Sequence, residues 1–419
     1  MNIIQKQTEF PFTIDNRGNF SKLQQQFPTD ITRFAIVNSE NGSINCEYAE
    51  VDKSDMYKNI FEFNPRKYVN NSNFNAVMVV PTGIGAEVGG DSGDANVAAR
   101  LIGSSVDTLI THPNVVNAAD FNEMTPNTLY VEGSILNRFL MGTIGLAPSR
   151  GNRILVIMDT PKKDYIKNYT INQASAARVT LGCDVDVIEV NDPPKYSFYF
   201  NENRMAVGKT TNFEKLLNVV EKYKGQYDSF VLHTITDGDN SIFGDYFNDK
   251  FDINPWGGIE AMITHTLSNL LDVSVAHAPL FDDYEDFNFH FPIVNPQKSP
   301  ETLSKTELFC VIKGMYKTPK IVEPINVSGV LTNSDVHALV IPDRCIGIPV
   351  LAALEQNIPV IAVDDNRNLM KNDLSKLPWK RNQFFRAKNY LEASGLLTAL
   401  KNGLSPNSLK RPIDFTTIL

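Results

Sequence analysis

The chain has 419 residues and six histidines. Three of these, His112, His233 and His277, follow short apolar runs of the kind that form buried strands. His112 opens the stretch His112-Pro113-Asn114-Val115-Val116-Asn117-Ala118-Ala119-Asp120, and His277 opens His277-Ala278-Pro279-Leu280-Phe281-Asp282-Asp283. An imidazole titrates near neutral pH, so at the end of a strand it suits general acid/base work. The amides Asn114 and Asn117 follow His112 along the chain. Metal ligation with Asp120, Asp239 or Asp282 is a competing chemistry, but no His-Glu-x-x-His spacing supports it. The plainer alternative for each histidine is a ring satisfied by backbone at a strand end.

Glycines supply the second signal. Thr82-Gly83-Ile84-Gly85-Ala86-Glu87-Val88-Gly89-Gly90 follows the apolar run Ala76–Val80, with Asp94 just beyond. Gly257-Gly258 precedes another helical stretch. Backbone N–H groups in such loops, together with the N-terminus of the next helix, can cradle an anion. The dinucleotide fingerprint fails, because after Gly83 and Gly85 it needs Gly or Ala at 88, and Val88 stands there. Gly208-Lys209-Thr210 has the tail of a phosphate loop, but Asn203 occupies the position of its first glycine. The alternative is that these glycines only make tight turns. A third loop, Pro342-Asp343-Arg344-Cys345-Ile346-Gly347, places Cys345 before a helix, where a thiol's pKa tends to fall. The competing reading is a small buried residue.

The elements that hold these loops read as βα units: an apolar strand, a loop, a helix, a second apolar strand. They are expected at Ala76–Thr111, Ile154–Val190, Ser229–His277 and Ala338–Val363. Continuous apolar strands alternating with helices point to an α/β fold, Rossmann-like and mostly parallel, with helices on both faces. Earlier in the chain, Arg33–Asn38 and Ser43–Val51 flank Asn41-Gly42, a strong hairpin signal. The expected organisation is a small α+β element over residues 1–70, a first α/β lobe over 71–205, and a second over 206–419 ending in a helix at Tyr390–Leu400. Pro193–Thr210 is taken as the excursion between the lobes.

Bulk properties narrow the functional classes. Net charge is −9, without the basic footprint of a general nucleic-acid binder. The basic and aromatic residues of Lys376–Lys388 read as a solvated face beside core aromatics. No run reaches the ~20 apolar residues of a membrane helix. The N-terminal stretch lacks the pattern of a secretory signal. Four dispersed cysteines without a CxxC pair suggest a reducing, cytoplasmic setting.

Long stretches of the chain are similar to the family called domain of unknown function 3326, found in cyanobacterial, other bacterial and plant proteins. They include VMVVPTGIGAEVGGDSGDANVAARL, DTLITHPNVVNAADF, TLYVEGSILNRFLMG, NPWGGIEAMITH, VSVAHAPL and ALVIPDRCIGIPVLAALEQNIPVIAVDDN. The resemblance spans about residues 70–405 and implies no particular reaction. GIPVLAALEQNIPVIAV also resembles the donor-side end of two-domain glycosyltransferases and sugar-nucleotide epimerases, an analogy of fold only.

The expectation is an enzyme (transferase, hydrolase or lyase) acting on a small polar or anionic metabolite in a cleft at the carboxyl ends of parallel strands. His112, His277, Cys345 and Asp343 are the candidate catalytic groups. Thr82, Gly83, Gly85, Gly89, Gly90, Asp94, Asn114, Asn117, Gly257, Gly258, Arg344 and Gly347 are the candidate ligand-binding groups. No metal-ligand set is assigned, the cofactor is left unknown, and homo-oligomerisation stays open. The rival reading is a non-catalytic small-molecule binding or regulatory protein.

Overall fold

The structure, a computed structural model, describes residues 1–419 except 28–29, 53–57, 92–93, 117–123, 237–239, 252, 282–292, 414, 417 and 419. Its centre is a six-stranded, all-parallel sheet. In space its strands run Thr128–Tyr130, Thr108–Thr111, Asn75–Met78, Val336–Pro342, Val360–Val363 and Phe384–Ala387. In chain order that is 3-2-1-4-5-6, the doubly wound order of dinucleotide-binding folds. The inner strands are continuous apolar runs because both faces are covered; Ala76, Val77, Met78, Leu339 and Val340 are fully buried. The helix Asn96–Ser104 carries the chain from strand 1 to strand 2, and Ile348–Gln356 carries it from strand 4 to strand 5. These crossovers run in opposite directions from the middle, so their shared right-handedness puts the two helices on opposite faces. Asn96–Ser104 packs with Tyr390–Lys401, and Ile348–Gln356 with Gly133–Leu140.

Between the third and fourth strands the chain leaves to build a second parallel sheet, ordered Ser274–Pro279, Ser229–Thr234, Arg153–Asp159, Asp184–Val190. The helix Gly257–Leu271 lies against Ser274–Pro279. It also packs against the strands Ala206–Thr211 and Ile31–Glu40 of a third, antiparallel sheet. That sheet joins Lys195–Phe200, Ala206–Thr211, Ile3–Pro11, Ser43–Val51, Ile31–Glu40 and Ile346–Gly347. The Ile31–Glu40 and Ser43–Val51 hairpin turns at Asn41 and Gly42, both with positive φ (52° and 75°), as the Asn-Gly signal implies.

The sheets do not follow a contiguous division at 205/206. Residues 75–130 and 336–387 share one sheet, and residues 153–190 with 229–279 form the other. Local patterning reveals each βα unit but not which strands pair. The segment expected to separate two lobes, Pro193–Thr210, is a hairpin that extends the N-terminal antiparallel sheet. The first 70 residues are therefore one part of a sheet completed from the middle of the chain. Within Lys376–Lys388, Phe384–Ala387 is the sixth strand of the central sheet, and Trp379 stacks on Phe384 with ring centres 5.4 Å apart.

Candidate functional site

The strand order reverses between Asn75–Met78 and Val336–Pro342, and a crevice beyond their carboxyl ends is where such folds hold ligands. A bent cleft lies there. One arm, a cavity of about 80 Å³, is polar; its lining includes Asp91, His112, Asn114, Glu132, Glu260 and His277. The other, of about 100 Å³, is mainly apolar and is walled by residues such as Phe34, Val79, Ile341, Cys345 and Ile346. Thr82, His112, Gly133, Ala261 and His265 line both arms. These volumes are well below the roughly 300–1,000 Å³ of drug-sized pockets.

At the elbow, His265 Nδ1 lies 2.6 Å from Glu132 Oε1. The contact is off the line of a straight hydrogen bond. Glu132 follows the third strand and caps the helix Gly133–Leu140. One of its oxygens accepts the backbone N–H groups of Ser134 (2.8 Å) and Ile135 (3.1 Å) and the Ser134 hydroxyl (2.5 Å). Burial alone would raise the Glu132 pKa, but His265 and these donors together hold it well below the usual carboxylate range. His265 comes from the Gly257–Leu271 helix. Glu260, Ala261, Thr264 and His265 all face the polar arm from that helix, at spacings that share one helical side. A second pair lies alongside: His277 Nδ1 is 3.2 Å from Glu260 Oε1, and its Nε2 is 2.8 Å from the Thr234 hydroxyl.

His112 is held differently. The Val80 N–H donates to its Nε2 at 3.1 Å. A neutral ring that accepts at Nε2 carries its proton on Nδ1. Burial, with His265 nearby, pulls its pKa down to about 4, so at neutral pH the ring is an uncharged donor. The arrangement therefore sets a carboxylate-oriented imidazole beside a neutral one, a pairing able to take a proton at one atom and donate a hydrogen bond at another.

The structure sorts the other expected residues. Thr82 and Gly257 line the polar arm, and Gly347 lines the apolar arm. Asn114 lines the polar arm while its amide donates to the Val80 carbonyl at 2.8 Å. Gly90 lines the same arm. Most of the glycines are explained by packing. A Cβ at Gly83 would come within 2.5 Å of the Ala206 carbonyl oxygen, one at Gly258 within 2.0 Å of the same atom, and one at Gly90 within 2.2 Å of the Ala86 oxygen. Gly85 abuts Ile253, and Gly89 abuts Val80 and the Asn114 carbonyl. Asp94 accepts the Gly89 N–H at 2.6 Å and so closes its own loop.

Cys345 faces the apolar arm and is buried, and that burial, with Asp343 nearby, pushes its thiol far up and away from the thiolate. Asp343 lies outside the cleft and accepts from Arg386 at 3.0 Å. Arg344 is exposed, with a positive φ of 71°. His233 is a core residue contacting the Ala278 carbonyl at 3.0 Å. Asn117, Asp120, Asp239 and Asp282 lie outside the described residues. Among the described residues, no three His, Cys, Asp or Glu side chains converge as a metal site.

The pair at the elbow, Glu132 and His265, was not among the residues expected from sequence. Two signals carried it: an acid at a strand end followed by Gly-Ser, and an acid five residues before a histidine on the helix that Gly257-Gly258 opens.

Fold and cleft together define a doubly wound α/β protein with a second parallel sheet inserted between its third and fourth strands. The chain belongs to the family described as protein of unknown function (DUF3326), whose model matches residues 75–410. It is also similar to an uncharacterized lipoprotein of Synechococcus sp., 31% identical over 345 residues, covering 80% of this chain and 92% of the relative.

Proposed function

We propose that the protein is an enzyme that transfers a proton on a small polar or anionic metabolite bound in the bent cleft. The observation that carries this is the pair of buried Glu132 and partly exposed His265 at the elbow, 2.6 Å apart, beside the neutral His112. In this reading His265 is the general base, and Glu132 orients its ring and stabilises the imidazolium once it forms. The Nδ1–H of His112 supports negative charge developing on a substrate oxygen, while Glu260–His277 and Asn114 position the polar end. With all four cysteines free and buried, a reducing cytoplasmic setting is part of the proposal. No helix among the described residues is long and apolar enough to cross a membrane.

The test has two stages. Thermal unfolding against a panel of small metabolites comes first; a ligand at 100 times its Kd stabilises by about 2.7 kcal/mol. Each hit is then incubated with the protein in deuterated water and followed by NMR for turnover or deuterium uptake. The expected result is chemistry with the wild type, abolished in His265→Asn and reduced at least about a hundredfold in Glu132→Gln, with the thermal shift kept in both. A hit bound equally well by all three proteins, with no exchange or turnover in any, would establish a binding protein instead.

A further inference from the structure

We propose that Arg33 anchors the carboxylate of a small substrate whose short apolar body occupies the apolar arm of the cleft. This rests on the acid–base reading above and names the substrate class for the same site.

Arg33 projects from the antiparallel strand Ile31–Glu40 into the arm between strands 1 and 4 of the central sheet. Its guanidinium donates to two backbone carbonyls, Thr82 O at 2.8 Å and Gly258 O at 3.5 Å. No carboxylate among the described residues forms an ion pair with it. Among the described residues no Asp or Glu lines this arm; its polar groups are Arg33, Thr82, His112, Asn137 and His265, and the remaining walls are chiefly apolar. Burial pulls the guanidinium pKa down, and only the more distant Glu47 opposes this. A half-buried cation satisfied by carbonyls alone is costly, and an anion entering the arm would offset that cost. A guanidinium offers five N–H donors in a planar fork suited to a carboxylate. Asn137 lines the same arm, and its side-chain amide has no hydrogen-bond partner among the described residues, which leaves it available to the same ligand. A carboxylate at Arg33 would place the adjoining carbons along the apolar walls, toward the elbow where His112 and His265 stand. The anchor lies outside residues 75–410, the stretch the family model matches.

Propionate and propionamide nearly share a shape but differ in charge, so they test the anchor on the unmodified protein. Thermal unfolding and calorimetry at matched ionic strength should show propionate and pyruvate binding and propionamide not. Arg33→Met should weaken propionate binding about tenfold or more, the loss of one charge-assisted contact, and Arg33→Lys should weaken it less. Inorganic phosphate should bind more weakly than propionate, having no apolar body to bury. Equal shifts from propionate and propionamide, no shift from either, or undiminished binding in a folded Arg33→Met would overturn the proposal. If Arg33→Met does not fold, the wild-type comparison decides alone. Charge-dependent propionate binding that survives in His265→Asn, alongside a wild type that turns over no carboxylate, would keep the anchor and remove the acid–base reading.

Discussion

At the level of single residues, three histidines in one chain differ in what surrounds them. His265 keeps a carboxylate partner and a place on the cleft. His112 and His233 lose solvent without a carboxylate in contact, and burial pulls both pKa values down to about 4. Between about pH 6.5 and pH 4 the unfolded chain takes up protons at these rings and the folded chain does not, so stability rises with pH across that window. It is fully present above the unfolded value of about 6.5 and is lost as pH falls. Each ring's share of that loss is on the order of a few kcal/mol. Glu132 works in a different window: its folded pKa is depressed, so its contribution is lost only below the ordinary carboxylate range. Urea unfolding at a series of pH values should show a steep loss of stability below pH 6.5. His233→Phe, which leaves the cleft untouched, should remove about one proton from that slope. A slope unchanged by the substitution would mean that His233 ionises in the folded protein.

At the level of elements, the helix Gly257–Leu271 decides whether the site exists, because it carries Glu260 and His265 and presses its first turn onto the Ala206 carbonyl. Gly258→Ala would drive a Cβ to within 2.0 Å of that oxygen. The helix must then shift, at a cost of about 1–3 kcal/mol, and the cleft ligands should bind more weakly. Gly395, inside the helix Tyr390–Lys401, has nothing within 4 Å of an added Cβ. Gly395→Ala should therefore stabilise by about 0.5–1 kcal/mol without touching the cleft. Opposite signs in chemical denaturation would separate tight packing from mere helix preference. This contrast also marks what the sequence could tell. The βα units, the Asn-Gly hairpin and the placing of His112 just past its strand and His277 near the end of its own follow from hydrophobic runs and turn residues, which act locally. A glycine that admits a ligand and one that admits a neighbouring carbonyl look identical in sequence, since the difference lies in Ala206, more than fifty residues from Gly258 and over a hundred from Gly83. Glu132 and His265 were hidden for the same reason: 133 positions apart, they meet only after the second sheet has folded back across the first.

For the whole molecule, the interleaved topology makes the site a product of every part of the chain. The central sheet takes three strands from before residue 131 and three from after 335, and the inserted sheet supplies the helix that bears His265. The N-terminal sheet is completed by residues 195–211 and supplies Arg33. A cut at 205/206 would divide all three: strands 1–3 from 4–6 of the central sheet, two from two in the inserted sheet, and Ala206–Thr211 from Ile3–Pro11. Each fragment would expose buried apolar strands with unpaired edges, which favours aggregation over folding. Residues 1–205 and 206–419 expressed separately should therefore show no cooperative unfolding, whereas the two produced together should reassociate into a species that unfolds cooperatively and binds the same cleft ligands. Two fragments that each melt cooperatively alone would mean that residues 1–205 and 206–419 form independent cores. The cleft would then be an interface between lobes rather than the shared product of interlocked sheets.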